Sequence, residues 1–599
     1  MLRRKRELIQ TTICIALLFV VPLLLATPAI KQGDLAVDIN ALTTRTPWQE
    51  AQPTGLEPAV NDEYSPVINR YYPWYAFMNH AGRSGELPLW NPYESFGTPF
   101  LALWRTRALS PFSLPLYVLP LHTALGISVF LKLLVAGLCA YYAARRFHFS
   151  PIYALLPAIT FQMSGFLLVG HWHPASDVIP WFPLLLPCLQ RILLGNYRIW
   201  PSVALLIGIM TIGGDPETLV GILLFLFLLT LIYGIRTYTL KHLAGALITL
   251  FFSVILGLTL AAVQLIPFFE FLQQGSLESS IPDSFRGSDL AMLLAPISHS
   301  NSITEASWLP SGLIGFLLLP LWLAVRPAAN RIRKRRMESF LLATLALLLL
   351  SLCAPLLRGI PIFAYIDTWH FAVPFPLAAG MLAATAIEEW VHLDADKCKE
   401  SLKKLAWLIP LFLGTAFLFT FWVSDWKNNG QQGLNNFLWT SGSTLIVLSL
   451  LLISAFWPKE KLLVASLSLI TAVLCWHIYT PTAHFTPAQQ IFPETRFIQT
   501  LHGQNSRVAG SKHLQDWPLS PYQIEQSYSP SGIVLNRNQH FMDQAAKNPK
   551  LLRLSGAQTL LLTKEDIQER FSPLRPMLNI QEVFPSGAIL LKDLQANER

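Results

Sequence analysis

Two pairs of carboxylates stand in the polar segment that follows the first apolar run of the chain. Asp34 and Asp38 are four residues apart in "KQGDLAVDIN", and Asp62 is followed directly by Glu63. An ionised carboxylate takes a proton from a hydroxyl group as a general base, or binds a divalent cation through its oxygen atoms. A helix would place Asp34 and Asp38 on one face, although two carboxylates alone are weak evidence for such a cation. Asp62 can equally be a solvated loop residue or a helix N-cap.

Histidines and arginines form a second set of candidates, because both side chains can bind phosphate. His171 and His173 in "GHWHP" could bind phosphate or relay a proton, but without a third ligand they do not indicate zinc. Interfacial packing is the alternative for both. The candidate arginines are Arg70, Arg105 and Arg107 in the first exported loop and Arg286 and Arg358 in later exported turns. Snorkelling to lipid head groups is the alternative for each of them.

Further acidic residues stand at the ends of apolar runs: Asp177, Asp215, Glu217 and Glu270. Ionisable groups at membrane depth are costly and often functional, although the cost falls steeply at the interface. We select Asp215 and Glu270 as residues that support a substrate site without reacting.

The elements that must position these residues are apolar helices. The chain of 599 residues is 52% hydrophobic and only 13% charged, against about 25% charged in an ordinary soluble protein, which indicates a membrane protein. About thirteen runs are long enough to cross a hydrocarbon layer of about 30 Å. They lie near 9–27, 124–146, 151–170, 178–194, 200–214, 217–235, 243–268, 309–325, 339–355, 371–390, 405–424, 437–457 and 462–480. Helices are the expected structure for these runs, and those at 178–194 and 200–214 are short enough to be tilted or broken.

The positive charges predict the orientation of the chain in a bacterial cytoplasmic membrane. Arginines and lysines cluster at 3–6, 145–146, 331–336 and 397–404, on one side of the predicted helices, as the positive-inside rule requires. Nucleic acid is therefore not the expected partner of the net charge of +8. Thirteen helices place the N-terminus in the cytoplasm and the C-terminal segment outside. A removable signal peptide over residues 1 to 29 is the alternative for the first run.

Two polar segments are too long to be connectors, residues 28–110 and 481–599, and both are predicted to be exported. The second alternates runs typical of strands, such as "AQTLLLT", with runs typical of helices, which predicts a small α/β domain. We expect a transmembrane domain over 1–480 and this exported domain over 481–599. No Walker, HExxH, CxxC or GxSxG motif is present in the sequence, so an enzyme outside the membrane would draw on lipid-linked or periplasmic substrates.

The first exported segment carries a motif that resembles a known family. Its order of an acidic residue, "YPW", "GELPLWNPY", "GTP" and "SPFSLP" resembles the first exported loop of the YfhO-like bacterial membrane proteins, a branch of the GT-C glycosyltransferase superfamily. The segments "FQMSGFLLVGHWHP", "GGDPET", "LAAVQLIPFFEFL" and "LLRLSGAQTLLLT" agree with it. The resemblance implies an enzyme that moves a sugar from a polyprenyl-phosphate carrier to an acceptor hydroxyl outside the membrane. The acceptor would be an envelope polymer, a glycolipid or a protein.

The resemblance also implies site residues. In this superfamily an acidic residue of the first exported loop is usually the catalytic base, which selects Asp62, with Glu63 beside it. Asp38 is the second candidate, because many GT-C enzymes place their acid near the first span. In the family's pattern an arginine stands in an "FRVP"-like element, whereas Ala372 occupies that place in "WHFAVPF". His370 could substitute for this arginine.

Aromatic and amide side chains of the first exported loop are candidates for sugar contact. Trp74, Trp90 and Tyr93 could stack on sugar faces or anchor the loop among membrane lipids, where amphipathic rings are favoured. Asn91 could cap a turn or bind a sugar hydroxyl. Two other classes of function remain open, a transporter or flippase of lipid-linked saccharides, and an inactive scaffold in envelope assembly. A flippase usually has polar or charged residues in the middle of several spans, whereas the mid-span positions of this sequence are almost wholly apolar, with Lys132 as the exception.

Overall fold

A computed structural model describes most of the chain. It describes residues 2–36, 42, 48, 66–168, 170–277, 319–325, 331–353, 366–423, 446, 449, 464, 466–469, 473, 485–487, 490–502, 507–510, 518–527, 533–545, 548, 551, 554–563, 568, 579–583 and 588–592. The contacts divide the chain into two compact units. The first unit contains Met1–Ala26, Val129–Ala261 and Ile281–Ala483, and the second contains Thr27–Ser128, Ala262–Ser280 and His484–Arg599.

Helices form most of the described chain. The longer ones are α1 (Leu2–Lys31), α2 (Tyr72–Arg83), α3 (Leu114–Val118), α4 (Leu121–Arg146), α5 (Leu155–Gln162), α6 (Gly165–Leu168), α7 (Ala175–Val178), α8 (Phe182–Leu193), α9 (Trp200–Ile212), α10 (Pro216–Thr237), α11 (Leu240–Leu260), α12 (Ala262–Gln274), α13 (Leu319–Val325), α14 (Arg331–Cys353), α15 (Phe375–Val391), α16 (Ala395–Val423), α17 (Arg496–His502) and α18 (Asn536–Ala545). A π-helix (Val67–Tyr71) precedes α2, and short 3₁₀ helices lie at Trp104–Thr106, Pro111–Ser113, Gly170–Trp172, Ile179–Trp181, Tyr197–Ile199, Thr368–Ala372 and Ser520–Tyr522.

Six helical segments in the described part of the chain are long and apolar enough to cross a membrane. They are Arg4–Lys31, Leu121–Arg146, Pro216–Thr237, Leu240–Leu260, Lys334–Cys353 and Thr368–Val391. Each coincides with one of the predicted runs. The runs at 437–457 and 462–480 lie almost wholly outside the described residues.

The prediction of one spanning helix over 151–170 is wrong for the described residues. This stretch forms α5 and α6, separated by a break at Met163 and Ser164, and a 3₁₀ turn follows at Gly170–Trp172. The next helices begin at prolines: Pro174 precedes α7, and Pro183 stands in the first turn of α8. Proline lacks the N–H that a continuing helix needs, and it is favoured at a helix start. Local proline chemistry therefore outweighs the apolar composition here.

Close helix contacts in the first unit depend on small residues. Helices α9 and α11 approach so closely that a Cβ atom on Gly257 would lie 2.7 Å from the Cβ of Ile207. In the same way, a Cβ on Gly380 of α15 would lie 2.7 Å from the Cα of Pro157 in α5. Small residues let helix backbones approach where lipid supplies no hydrophobic drive for association.

The described residues of the second unit form eight short strands. They are β1 (Asp34–Ala36), β2 (Gly275–Leu277), β3 (Phe485–Pro487), β4 (Arg507–Gly510), β5 (Ile533–Leu535), β6 (Ala557–Thr563), β7 (Asn579–Val583) and β8 (Ala588–Lys592). β1 pairs with β3, and β2 pairs with β5, both antiparallel. The other four form one mixed sheet in the order β4, β6, β8, β7. Strands β5, β6 and β8 lie in runs whose sequence pattern indicates strands.

The loop "GELPLWNPYESFGTP" is bonded to the C-terminal segment within this unit. The Phe96 N–H donates to the carbonyl of Gln526, and the Gln526 N–H donates to the carbonyl of Tyr93, both at 3.2 Å. The Asn538 side chain donates to the carbonyl of Ser95 at 2.7 Å. Ser95, Phe96 and Gly97 all have positive φ angles, an unusual run that persists only where surrounding contacts fix it. The loop is therefore ordered by the last part of the chain.

Candidate functional site

The strongest predicted base candidates cannot be placed. Asp38, Asp62 and Glu63 lie outside the described residues, as do Arg286 and Arg358. Their assigned roles stay predictions.

The other charged candidates of the second unit lie in separate elements. Arg70 is half-buried in the π-helix and Arg105 is half-buried in the 3₁₀ helix Trp104–Thr106. Arg107 is buried, and its guanidinium lies 4.4 Å from the ring centroid of Tyr75. Glu270 is exposed on α12. Arg107 is therefore placed by packing against an aromatic ring, whereas Glu270 is exposed.

Most of the loop's aromatic and amide candidates are used inside the second unit. Trp74 is 1% exposed, so a sugar could reach its ring only after neighbouring side chains moved. The Asn91 Oδ1 accepts a hydrogen bond from the Tyr93 N–H at 3.0 Å, which caps the turn. Burial raises the pKa of the Tyr93 hydroxyl, and the charges of Glu525 and Glu86 add to the increase. Trp90, by contrast, is 48% exposed and keeps a ring face available.

A buried cluster in the first unit brings together two of the predicted residues, Asp215 and His370, with Glu217. Asp215 is 1%, Glu217 8% and His370 0% exposed. The His370 Nδ1 lies 3.3 Å from the Asp215 Oδ2, and its Nε2 lies 2.9 Å from the Glu217 Oε2. The hydroxyl of Thr218 lies 2.7 Å from the same Nδ1. We call Asp215, Glu217, Thr218 and His370 the acidic-histidine cluster.

Local sequence explains how each member is held. Asp215 is the N-cap of α10, with its Oδ2 accepting from the Thr218 N–H at 3.2 Å, and a proline follows it in the first turn. An aspartate N-cap followed by proline is a strong helix start, which fixes residues 215, 217 and 218 around one turn. His370 comes from the 3₁₀ helix Thr368–Ala372 before α15. A Cβ on Gly221 would lie 3.1 Å from the His370 carbonyl oxygen, so glycine permits this close approach.

The predicted histidine motif lies beside this cluster. The His173 and His370 rings are 5.9 Å apart between centroids, and His173 also makes an edge contact with Trp369. His171 is buried, and its Nδ1 lies 2.9 Å from the Leu168 carbonyl oxygen. His173 is therefore near the cluster, whereas His171 holds its own backbone turn.

A buried ion pair joins α4 to α7 in the first unit. The Lys132 Nζ is 2.7 Å from the Asp177 Oδ1, and the two side chains are 2% and 0% exposed. Lys132 also donates to the carbonyl of His171 and to the hydroxyl of Ser176, both at 3.0 Å. The ammonium group thus has three oxygen partners, which offset part of the cost of burying it. Lys132, the charged residue that stands within an apolar run of the sequence, is therefore one half of a buried ion pair.

The sequence alone selects Asp215 and His370 of the acidic-histidine cluster but not Glu217. Glu217 was recognised at the end of a run and not selected, although its spacing of two residues from Asp215 at a helix start was an available signal. The pairing of Lys132 with Asp177 had no local signal, because it depends on tertiary packing. Among the described residues, Asp215, Glu217 and His370 are the one group of three metal-ligand types, with one ligand atom each lying within 4.8 Å of the others.

The chain can be compared with known proteins. No curated protein matches it. The solved structures that resemble it include those of ArnT from Cupriavidus metallidurans in the apo state and bound to undecaprenyl phosphate, with TM-scores of 0.46 and 0.44. In both cases the identity is 14%, over 88% of this chain and 93% of that chain. The family described as "Bacterial membrane protein YfhO" matches residues 67–512, most of the sequence. The chain therefore belongs to the YfhO family of bacterial membrane proteins.

Proposed function

We propose that this protein is a membrane glycosyltransferase that moves a sugar from a polyprenyl-phosphate carrier to a hydroxyl of an envelope acceptor. The observation that carries the proposal is the acidic-histidine cluster, buried at the start of a membrane-length apolar helix. Ionisable groups in such surroundings carry a large desolvation cost and mark functional sites. Membership of the YfhO family and the motifs that resemble GT-C enzymes support the reaction class.

The proposed reaction requires a carboxylate base and groups that bind phosphate, and the sequence contains both. Transfer with inversion needs a carboxylate near the acceptor hydroxyl to take its proton, and a positioned base of this kind contributes about 10²- to 10⁴-fold. It also needs positive charge or hydrogen-bond donors near the departing phosphate. Asp62, with Glu63 beside it, and Asp38 are the proposed bases. Arg70 and Arg105 are the proposed phosphate contacts.

The topology is part of the proposal. About thirteen spans would place the N-terminus in the cytoplasm and residues 481–599 outside the cytoplasmic membrane as a small α/β domain. The positive residues on one side of the predicted spans support this arrangement. The exported segments would then meet a lipid-linked donor at the outer membrane surface, where no nucleotide sugar is supplied.

Separate substitutions test the proposal in cells that lack the chromosomal gene. Asp62→Asn and Asp38→Asn variants are produced from a plasmid, and envelope polymers are compared by mass spectrometry for a sugar that disappears when the gene is deleted. We expect one of the two variants to lose the sugar while it still inserts in the membrane. Glu86→Gln, which changes an exposed carboxylate, is the matched control. An envelope glycan profile that is unchanged by deletion of the gene would overturn the proposal.

Transport of a lipid-linked saccharide is the second candidate, and the buried pair of Lys132 and Asp177 favours it. Charged residues within spans commonly belong to substrate or proton pathways in transporters. A transporter would tolerate Asp62→Asn and Asp38→Asn but lose function when the ion pair is replaced by uncharged residues. A glycosyltransferase that needs the pair only for folding would recover activity in the double replacement described below.

A further inference from the structure

We propose that the acidic-histidine cluster binds one Zn²⁺ ion through Asp215, Glu217 and His370. Two carboxylates and an imidazole are ligands that Zn²⁺ takes at about 2.0–2.2 Å. Zn²⁺ binding does not depend on the proposed sugar transfer. If that transfer is correct, the ion would add positive charge near a departing phosphate.

The distances bring the three proposed ligands together. One ligand atom from each residue lies within 4.8 Å of the others. In a tetrahedral site with bonds of about 2.0–2.2 Å, neighbouring ligand atoms lie about 3.4 Å apart. Binding of one ion would therefore require side-chain movements of about 1 Å.

The hydrogen bonds select one nitrogen of His370 as the ligand. Nδ1 lies 2.7 Å from the Thr218 hydroxyl and can donate to it. The Nε2 lies 2.9 Å from the Glu217 Oε2, so this nitrogen is the one beside a second proposed ligand atom. A metal-binding histidine typically has this arrangement, with the second ring N–H held by an oxygen that fixes the tautomer.

The two oxygens of Asp215 are likewise used differently. Oδ2 caps α10 through the Thr218 N–H, whereas Oδ1 has no hydrogen-bond partner among the described residues. Asp215 is 1% exposed, and a buried carboxylate oxygen without a partner is costly. A cation bound at Oδ1 would remove that cost.

The charge of the cluster also favours a divalent cation. Asp215 and Glu217 carry two negative charges when ionised. One Zn²⁺ ion would balance both.

Metal analysis of the full chain tests the site directly. Protein purified in detergent is treated with a chelator, equilibrated with buffered Zn²⁺, and analysed by mass spectrometry for bound metal. We expect about one Zn²⁺ per chain, and a loss of affinity of at least about 100-fold in His370→Gln and in Glu217→Gln, because even outer-shell changes cost about 10- to 100-fold. His392→Gln and Glu86→Gln change an exposed histidine and an exposed carboxylate and should retain the ion. Equal retention by His370→Gln and the wild type would refute the site.

A new absorption band in a variant distinguishes a lost metal ligand from a misfolded protein. Co²⁺ replaces Zn²⁺ in the wild type and in His370→Cys, and the near-ultraviolet spectrum is recorded. A new thiolate-to-cobalt charge-transfer band is expected only in the variant, because the new sulfur would replace an imidazole ligand. A folded His370→Cys protein that binds Co²⁺ without this band would show that residue 370 is not a ligand. Mg²⁺ and Mn²⁺ are tested in parallel, and tighter binding of either would overturn the assignment of Zn²⁺.

Discussion

At the scale of single residues, Asp215 has two separable roles. It caps α10 through Oδ2, and in our proposal it binds Zn²⁺ through Oδ1. Asparagine is as good an N-cap as aspartate, whereas alanine costs about 1 kcal/mol. We expect metal-free Asp215→Asn to unfold near the wild-type temperature, and Asp215→Ala to unfold earlier, in thermal unfolding in detergent. Both variants should lose Zn²⁺. Equal destabilisation by the two substitutions would show that the charge, not the cap, stabilises the helix.

The pair of Lys132 and Asp177 makes a second prediction at this scale. Lys132→Met leaves the Asp177 carboxylate buried without its cation, and breaking a buried pair in this way costs about 3–5 kcal/mol. Replacing both residues, as in Lys132→Met with Asp177→Leu, removes the uncompensated charge and should restore most of the stability. Ser176 keeps its bonds to the His171 and His173 carbonyls in either variant. Thermal unfolding of the single and double variants measures the difference. A single variant as stable as the wild type would contradict the prediction.

At the scale of elements, the contact between α9 and α11 depends on Gly257. A Cβ there would lie 2.7 Å from the Ile207 Cβ and 2.8 Å from the Ala204 carbonyl oxygen. Gly257→Ala should destabilise the protein by about 1–3 kcal/mol, because overpacking forces the helices apart. The control is Gly414→Ala in α16, where no atom of the described residues lies within 4 Å of the added Cβ. That change should be neutral or stabilising by up to about 1 kcal/mol through helix propensity. Comparable unfolding temperatures for the two variants would refute the packing argument.

The same scale shows what the sequence could and could not predict. Six membrane-length helices were predicted correctly, because about 20 apolar residues leave the backbone few other ways to satisfy its hydrogen bonds in lipid. The break within 151–170 was missed, since composition carries more weight than single glycine and proline positions in such a prediction. Asp215 and His370 were selected separately, by their position at a run's end and by a family motif. Their meeting with Glu217 could not be predicted, because it depends on the packing of α10 against a turn more than 150 residues later in the chain.

At the scale of the whole chain, the last strand in sequence is an inner strand of its sheet. β8 pairs with both β6 and β7. A stop after Val583 would remove β8 and leave β7 without its partner, so the sheet should not form. A stop after Lys592 keeps every strand and serves as the control. Limited proteolysis of the two proteins should show rapid cleavage after residue 500 in the shorter one only. Equal resistance would mean that β8 is dispensable for this sheet.

The bond from Asn538 to the Ser95 carbonyl joins residues 443 positions apart, and this separation sets an order of events during synthesis. The loop around Ser95 leaves the ribosome long before its partner has been made. Its backbone groups must remain solvated, or be shielded by other proteins, while most of the helices are inserted. This part of the second unit can reach its final form only after Asn538 has left the ribosome.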